Sequence, residues 1–303
     1  MDNITHSLVG LALAESALPF RPRRSTNFSL FARVISVAAN NVPDLDLFLR
    51  PLTPGPLGYL LQHRGYTHTV IASPLLALLL VLLAWCWARV RDRPLAAREW
   101  VGLYVLALIG VLAHILLDFF NSYGVHPFWP FFDGWIYGDC LFIVEPAIWL
   151  LVLAPLLTCD FSRYARGVLG ALFVGGIVLI WATGDVPYSL AALLTVAAFL
   201  LLWLSSRCPA DLKAHLPLWA GILVILVFGS VSGLARKQIR AKIESRFPGS
   251  RLYDIALNPL PANPFCWTFV TVETDSSFTN YYATRGVLAP LSGIFPVTSC
   301  PRF

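Results

Sequence analysis

Five stretches of the chain carry side chains of the kind that bind cations. His6 stands near the start, followed by "NNVPDLD" (40–46), "HRGYTH" (63–68), "HILLDFFNSYG" (114–124) and "YGDCLFIVEP" (137–146). His114 and Asp118 are four residues apart, so on a helix they share one face and can hold one metal or simply bond each other. Asp44 and Asp46 flank a turn fixed by Pro43, where they could equally cap and solvate. His63 and His68 sit just before the apolar run Val70–Ala88. Thr67 and Thr69 could cap the helix that begins there. Each stretch alone has a structural explanation. Together they bring histidine and carboxylate, the set that a borderline cation such as Zn²⁺ accepts, to the ends of membrane segments, where ionisable groups are expensive. The joint reading is a metal site rather than a purely structural network.

The elements that must position these residues are apolar. Of 303 residues, 57% are hydrophobic and 13% charged. Eight apolar segments are legible: Ser7–Pro19, Phe28–Ala39, Val70–Ala88, Trp100–Phe119, Val144–Thr158, Gly167–Ala182, Tyr188–Ser206 and Leu216–Ala235. Several approach the roughly 18–20 residues of a bilayer span, whereas the first two are short and would be tilted, half-inserted or interfacial. The fold expected is mainly α, a polytopic helical membrane bundle of about six to eight segments over residues 1–235. A small extramembrane α+β domain, mostly β, closes the chain over 236–303. There "RKQIRAKIESRFPGSR" reads as an amphipathic helix and "CWTFVTVETDSSFTNYYATRGVL" as paired strands.

The start "MDNITHSLVG" lacks a basic leader, so no cleavable signal peptide is expected. The net charge of +5 comes from arginine clusters at 21–24, 89–98, 159–166 and 207–213, which fall in alternate connections. That is how topology is written, and it argues against nucleic acid as a partner. The positive-inside rule places these clusters in the cytoplasm and all five ligand-bearing stretches, with the tail domain, on the outer side. Glu15, inside the first segment, needs a partner, and Arg33 in the second is one candidate. Among six cysteines, Cys266 and Cys300 could staple the tail domain, and none shows zinc–thiolate spacing. A transporter would scatter its ionisable groups through the midplane; segments six to eight carry almost none.

The motifs "MDNITHSLVG", "NVPDLD", "HRGYTHT" and "HILLDFFNSYG", in this order, resemble the YdjM-like family of inner-membrane proteins, described as metal-dependent hydrolases. The resemblance is strong over the first half of the chain and weaker at "NPLPANPFCWTFV" in the tail. It implies a bacterial inner-membrane location. The family in turn is distantly similar to zinc-dependent phospholipase C and single-strand nucleases, helical enzymes with a zinc cluster. That similarity assigns metal-ligand roles to His6, Asp44 or Asp46, His63 or His68, and His114 with Asp118, with Asp139 and Glu145 offered at the late position. It implies one or two divalent ions, Zn²⁺ foremost, with a third least supported. Hydrolysis would use metal-activated water on a lipid or lipid-linked phosphoester. Asp46 or Asp139 would serve as general base, and Arg64 would meet either the substrate anion or, equally, a headgroup or carboxylate at the interface. A scaffold with a structural metal is the alternative. Asn121, Ser122 and Tyr123 read as caps or orienting groups, His126 as an interfacial anchor that could add a ligand, and His215 as an ordinary interfacial residue.

Overall fold

A computed structural model describes residues 1–18, 26–52, 63–275 and 280–301. The arginine cluster at 21–24 and the end of the first apolar segment lie outside these residues. Helices α1 (Asn3–Ala17) and α2 (Thr26–Ala39) lead into a 3-10 segment, Val42–Leu52, and a short 3-10 turn, Tyr66–His68. Six more helices follow: α3 (Ser73–Val90), α4 (Ala97–Phe119), α5 (Pro146–Leu156), α6 (Arg163–Ala182), α7 (Tyr188–Arg207) and α8 (Ala210–Arg246). Strands β1 (Arg251–Leu260), β2 (Asn263–Thr274) and β3 (Tyr281–Leu288) form an antiparallel sheet in the order β1-β2-β3. The mainly helical bundle with a small C-terminal sheet is the fold expected from sequence.

Local chemistry sets the helix starts. Asp2 caps α1 by accepting from the Ile4 and Thr5 amides, 2.9 and 3.0 Å away. Pro74 occupies the first turn of α3 and Pro146 that of α5, where a missing N–H costs nothing. The N-cap of α3 is Ala72 and has no side-chain cap; Thr69, one of the two candidates, accepts from the Ala72 amide at 3.2 Å in the turn before the helix. Thr67 instead bonds Asp46 at 2.9 Å.

Five helices, α3, α4, α6, α7 and α8, are long and apolar enough to cross a membrane. Helix α5 is shorter and lies at the centre, with most of its residues buried against α6, α7 and α8. The expected break between a last span and a separate amphipathic helix does not exist. Residues 236–246 continue α8 as one 37-residue helix. The physical reason is in the sequence: no Gly or Pro intervenes between Leu234 and Phe247, and Ala235, Ile239 and Ile243 repeat every four residues on one buried face. The helix stops where Pro248 and Gly249 arrive.

The helices alternate in direction, so the basic connections 89–98, 159–166 and 207–213 share one end of the bundle. At that end Ser16 of α1 donates to the Ala214 carbonyl of α8 at 3.2 Å. Glu15 meets Arg33 at 2.6 Å, the pairing open to it in the sequence. The other end carries the sheet and every ligand-bearing stretch.

Helices α1 and α2 cross closely at Gly10. A Cβ there would lie 2.8 Å from the Ser36 carbonyl oxygen and 2.9 Å from the Val37 Cα. Both neighbours are backbone, so the helices would have to part. Gly10→Ala is expected to cost about 1–3 kcal/mol, the range for overpacking a close-packed contact. A lowered thermal unfolding midpoint in detergent, unchanged by Gly229→Ala at an open position, checks it.

Candidate metal centre

Four side chains from three separate elements converge at the sheet end of the bundle. Asp44 and Asp46 come from the 3-10 segment that leaves α2. Pro43 starts this segment, and Asn41 ties its entrance to α1 and α2 by donating to Ser7 Oγ at 3.0 Å and the Val37 carbonyl at 2.8 Å. His68 ends the short 3-10 turn before α3. His114 and Asp118 lie one helical turn apart near the C-terminus of α4. Apart from Asp44, which is partly exposed, this set is buried.

Donor atoms of Asp44, His68, His114 and Asp118 lie within 4.8 Å of one another. His68 Nε2 stands 3.4 Å from Asp44 Oδ1 and 3.5 Å from Asp118 Oδ2. His114 Nε2 stands 3.5 Å and 3.7 Å from the same two atoms. The two Nε2 atoms face each other at 3.1 Å. Metal bonds of about 2.0–2.1 Å to a tetrahedron of N and O donors require donor separations of about 3.3 Å. The observed spacings fit that cage. Two imidazole nitrogens 3.1 Å apart with carboxylates beside them are reconciled by a shared cation, a proton or a metal ion.

The second nitrogen of each ring is held so that Nε2 points inward. His114 Nδ1 bonds the Asn40 carbonyl at 2.7 Å, and His68 Nδ1 lies 3.0 Å from Asp46 Oδ2. This carboxylate–histidine pairing is the usual outer support of a metal-ligating imidazole. Asp46 also accepts from the Arg64 amide at 2.8 Å and lies 3.1 Å from His63 Nδ1. Asp46, His63 and His68 form a second donor group sharing His68.

The electrostatics call for positive charge. Burial works to raise the Asp44 and Asp46 carboxyls, but hydrogen bonds from His114 and His68 to Asp44, and from His63, His68 and Thr67 to Asp46, hold both well below the usual carboxylate range. Burial works to lower His68, yet its bonds to Asp118, Asp44 and Asp46 carry it up to about 10. Without another cation the carboxylates thus recruit a proton onto His68. A metal entering the cage would release that proton.

Asp118 is the hub. Its Oδ1 accepts from the buried Met1 amine and lies 3.3 Å from His6 Nε2, while its Oδ2 lies 2.9 Å from Arg64 Nε. His6 stacks on His114 with ring centroids 3.8 Å apart, and among the described residues its other ring nitrogen, Nδ1, is buried without a hydrogen-bond partner. It belongs to the assembly but not to the four-donor set.

Three residues singled out in the sequence lie elsewhere or are otherwise engaged. Asp139, expected as a base, adopts a left-handed backbone (φ 50°) and bonds Arg236 at 2.9 Å and the Leu257 amide at 3.3 Å, fastening α8 and β1 to the loop after α4. Glu145, expected as a late ligand, caps α5 and accepts from the Ala147 and Ala262 amides at 3.2 and 2.9 Å, latching the β1–β2 turn. Both carboxylates are buried and engaged elsewhere, Asp139 by Arg236 and the Leu257 amide and Glu145 by two backbone amides, and neither is in a donor group. Arg64, expected to meet a substrate anion, is buried, and its Nη1 donates to the carbonyl of Gly124 at 2.8 Å and to Asn121 Oδ1 at 3.1 Å. Its guanidinium therefore closes the C-terminal end of α4, where the helix dipole favours a cation. Asn121 Oδ1 also accepts from the Tyr123 amide at 2.8 Å. His126 packs on Trp135 at 4.6 Å and is outside both donor groups.

The sequence reading missed the Asn40 carbonyl and the contact of Met1 with Asp118. A backbone carbonyl leaves no residue-type signal. The Met1 contact follows only from the Asp2 cap, which sets where α1 begins.

A family model described as YdjM inner membrane protein matches residues 1–187, a stretch that includes every donor above. The chain belongs to the YdjM family. Among curated proteins, this YdjM-family chain is similar to "Uncharacterized protein YfhP" of Bacillus subtilis (strain 168), at 25% identity over 181 residues. The match covers 59% of this chain and 51% of YfhP, so the chain spans about half the length of that relative. No solved structure matches.

Proposed function

We propose that this YdjM-family protein is a membrane-embedded, metal-dependent hydrolase, a phosphoesterase acting on a lipid or lipid-linked phosphoester at the outer face of the inner membrane. The observation that carries the reading is the meeting of Asp44, His68, His114 and Asp118 at donor spacings a cation fits. Zn²⁺ is the first choice, since it takes N and O ligands in this geometry. The Asp46, His63 and His68 group offers room for a second ion. When bound, such a metal supplies an acidified water and a Lewis acid for a phosphoryl oxygen. The chain's own residues do the rest. Asp44, the least buried of the four donors, lies on the side open to substrate. Asp46 fixes the His68 ring and, through its contact with His63, positions a group able to accept a proton. Arg64 and the Met1 amine balance the charge of Asp118. The outer-face orientation rests on the shared end of the basic connections.

One feature favours a second reading. Four protein donors complete a tetrahedron, the pattern of structural zinc, whereas a catalytic ion keeps a position open. The test is elemental analysis of the purified protein followed by a screen of phospholipids and a soluble phosphodiester. Stoichiometric transition metal, with turnover that ends on chelation and returns on reloading, is expected. Retained metal with no turnover on any phosphoester would establish the structural role, and absence of metal would end both.

Asp46→Asn keeps the shape of the residue but removes the charge that orients His68. Metal affinity, read by competition with a chromophoric chelator, is expected to fall about 10–100-fold, the usual effect of losing such a support.

A further inference from the structure

We propose that the metal centre is ringed by a collar of apolar side chains seated in the lipid interface, so that the centre meets headgroups of lipids still resident in the bilayer. The 3-10 segment is two-sided: Asp44 and Asp46 turn to the donor cluster, while Leu45 and Phe48 turn out, Phe48 with 79% of its surface exposed. A second arc is the uncharged loop "PFWPFF" (127–132), where Phe128, Phe131 and Phe132 are exposed, Phe131 by 86%.

Both arcs are fixed to the cluster. The Val70 amide donates to the Pro127 carbonyl at 2.8 Å, and the Tyr66 ring, two residues before His68, packs on Trp129 at 5.0 Å. Among the described residues, Phe128 and Phe131 make no ring contact of this kind. Large apolar surface of this kind is rarely left to water.

Continuity with α3 identifies what covers it. The outward face of α3, with Leu75, Leu78 and Leu79 exposed, begins five residues after Val70. Eighteen residues at 1.5 Å each give α3 a length of about 27 Å, slightly less than the roughly 30 Å hydrocarbon core. The whole helix is needed to cross, so Ser73 lies at the core boundary and residues 66–72 lie in the interface. The collar continues the lipid-facing surface at that depth, where aromatic side chains are favoured. Among the described residues the "PFWPFF" stretch carries no charge that would draw it back to water.

The seating does not depend on hydrolysis. Only the assignment of a bilayer headgroup as the source of the substrate phosphate rests on the proposed phosphoesterase. Depth is therefore the readout. In full-length protein with Cys86→Ser and Cys208→Ser, a nitroxide is placed at Phe48→Cys or Phe131→Cys and the protein is reconstituted in nanodiscs of phosphatidylcholine and phosphatidylglycerol. Collision with oxygen is expected to exceed collision with a water-soluble nickel chelate several-fold at both sites. They should fall between Leu79→Cys on α3, about 9 Å deeper, and Lys242→Cys on the extramembrane part of α8. Phe128→Cys reads the same loop if Phe131→Cys fails to fold. Values equal to those at Lys242 would overturn the proposal. So would low access to both reagents with dipolar broadening, which would mean that a second copy of the chain covers the collar. Metal content and turnover play no part in either outcome, so failure here leaves the hydrolase reading to be judged separately.

Discussion

Asp118→Asn is expected to abolish metal retention and to cost about 3–5 kcal/mol of stability, the range for removing one member of a buried charge group. The carboxylate touches the Met1 amine, Arg64 and His6, and its Oδ2 is one of the four converging donors. Asparagine conserves volume, so the loss isolates charge from packing. The buried Arg64 guanidinium would be left without its anion, and the cage would keep one carboxylate in place of two. The measurements are metal per chain by elemental analysis and the unfolding midpoint in detergent. Thr67→Ala removes one hydrogen bond beside the centre but no donor, and it should keep most of the metal. Full metal content in Asp118→Asn would remove the residue from the ligand set.

The second large effect lies in the tail. Cys266 and Cys300 form a disulfide separated by 34 residues, closing a loop that holds β2, β3 and the final 3-10 turn. The chain-entropy relation gives about 3–4 kcal/mol for a loop of this length. Cys266→Ser with Cys300→Ser should therefore expose β3 amides to rapid hydrogen exchange and open the tail to protease. The metal content should not change, because no donor comes from the tail. A tail that stays protected without the disulfide would show that packing of the buried Trp267 and Leu257 against the bundle suffices.

Much of this was legible in the sequence, for identifiable reasons. The apolar runs and their Gly, Pro and arginine punctuation marked the eight α-helices of the described residues, since lipid-facing and core-facing residues alike must be apolar. His114 and Asp118 were placed on one face by spacing alone. The convergence of Asp44 and His68 on them was legible only as a joint argument about ionisable groups near apolar segments. What stayed hidden was long-range. Asp139 and Glu145 look like ligands in a list of residue types. Their partners, Arg236, Leu257 and Ala262, lie about 97 to 118 positions away in the chain, and no local pattern announces them. For Arg64 the sequence left a substrate anion and a carboxylate contact both open, and only the long-range fold brings it to Asp118 and the end of α4. The run-on of α8 was in principle readable from the unbroken spacing of Ala235, Ile239 and Ile243. The change of composition at Arg236 concealed it, because polarity shifts where the helix leaves the membrane while the backbone does not.

That uninterrupted helix has a mechanical consequence. At 1.5 Å per residue, α8 is about 55 Å long, and past Pro217, near its arginine-rich end, it runs to the sheet as a strut without a joint where it meets water. A tilt of about 5° about Pro217, the proline inside α8, displaces Arg236, about 29 Å further along, by about 2.5 Å. Through the Asp139–Arg236 clasp, that displacement is delivered to the loop that hydrogen-bonds the last turn of α4, immediately beyond Asp118.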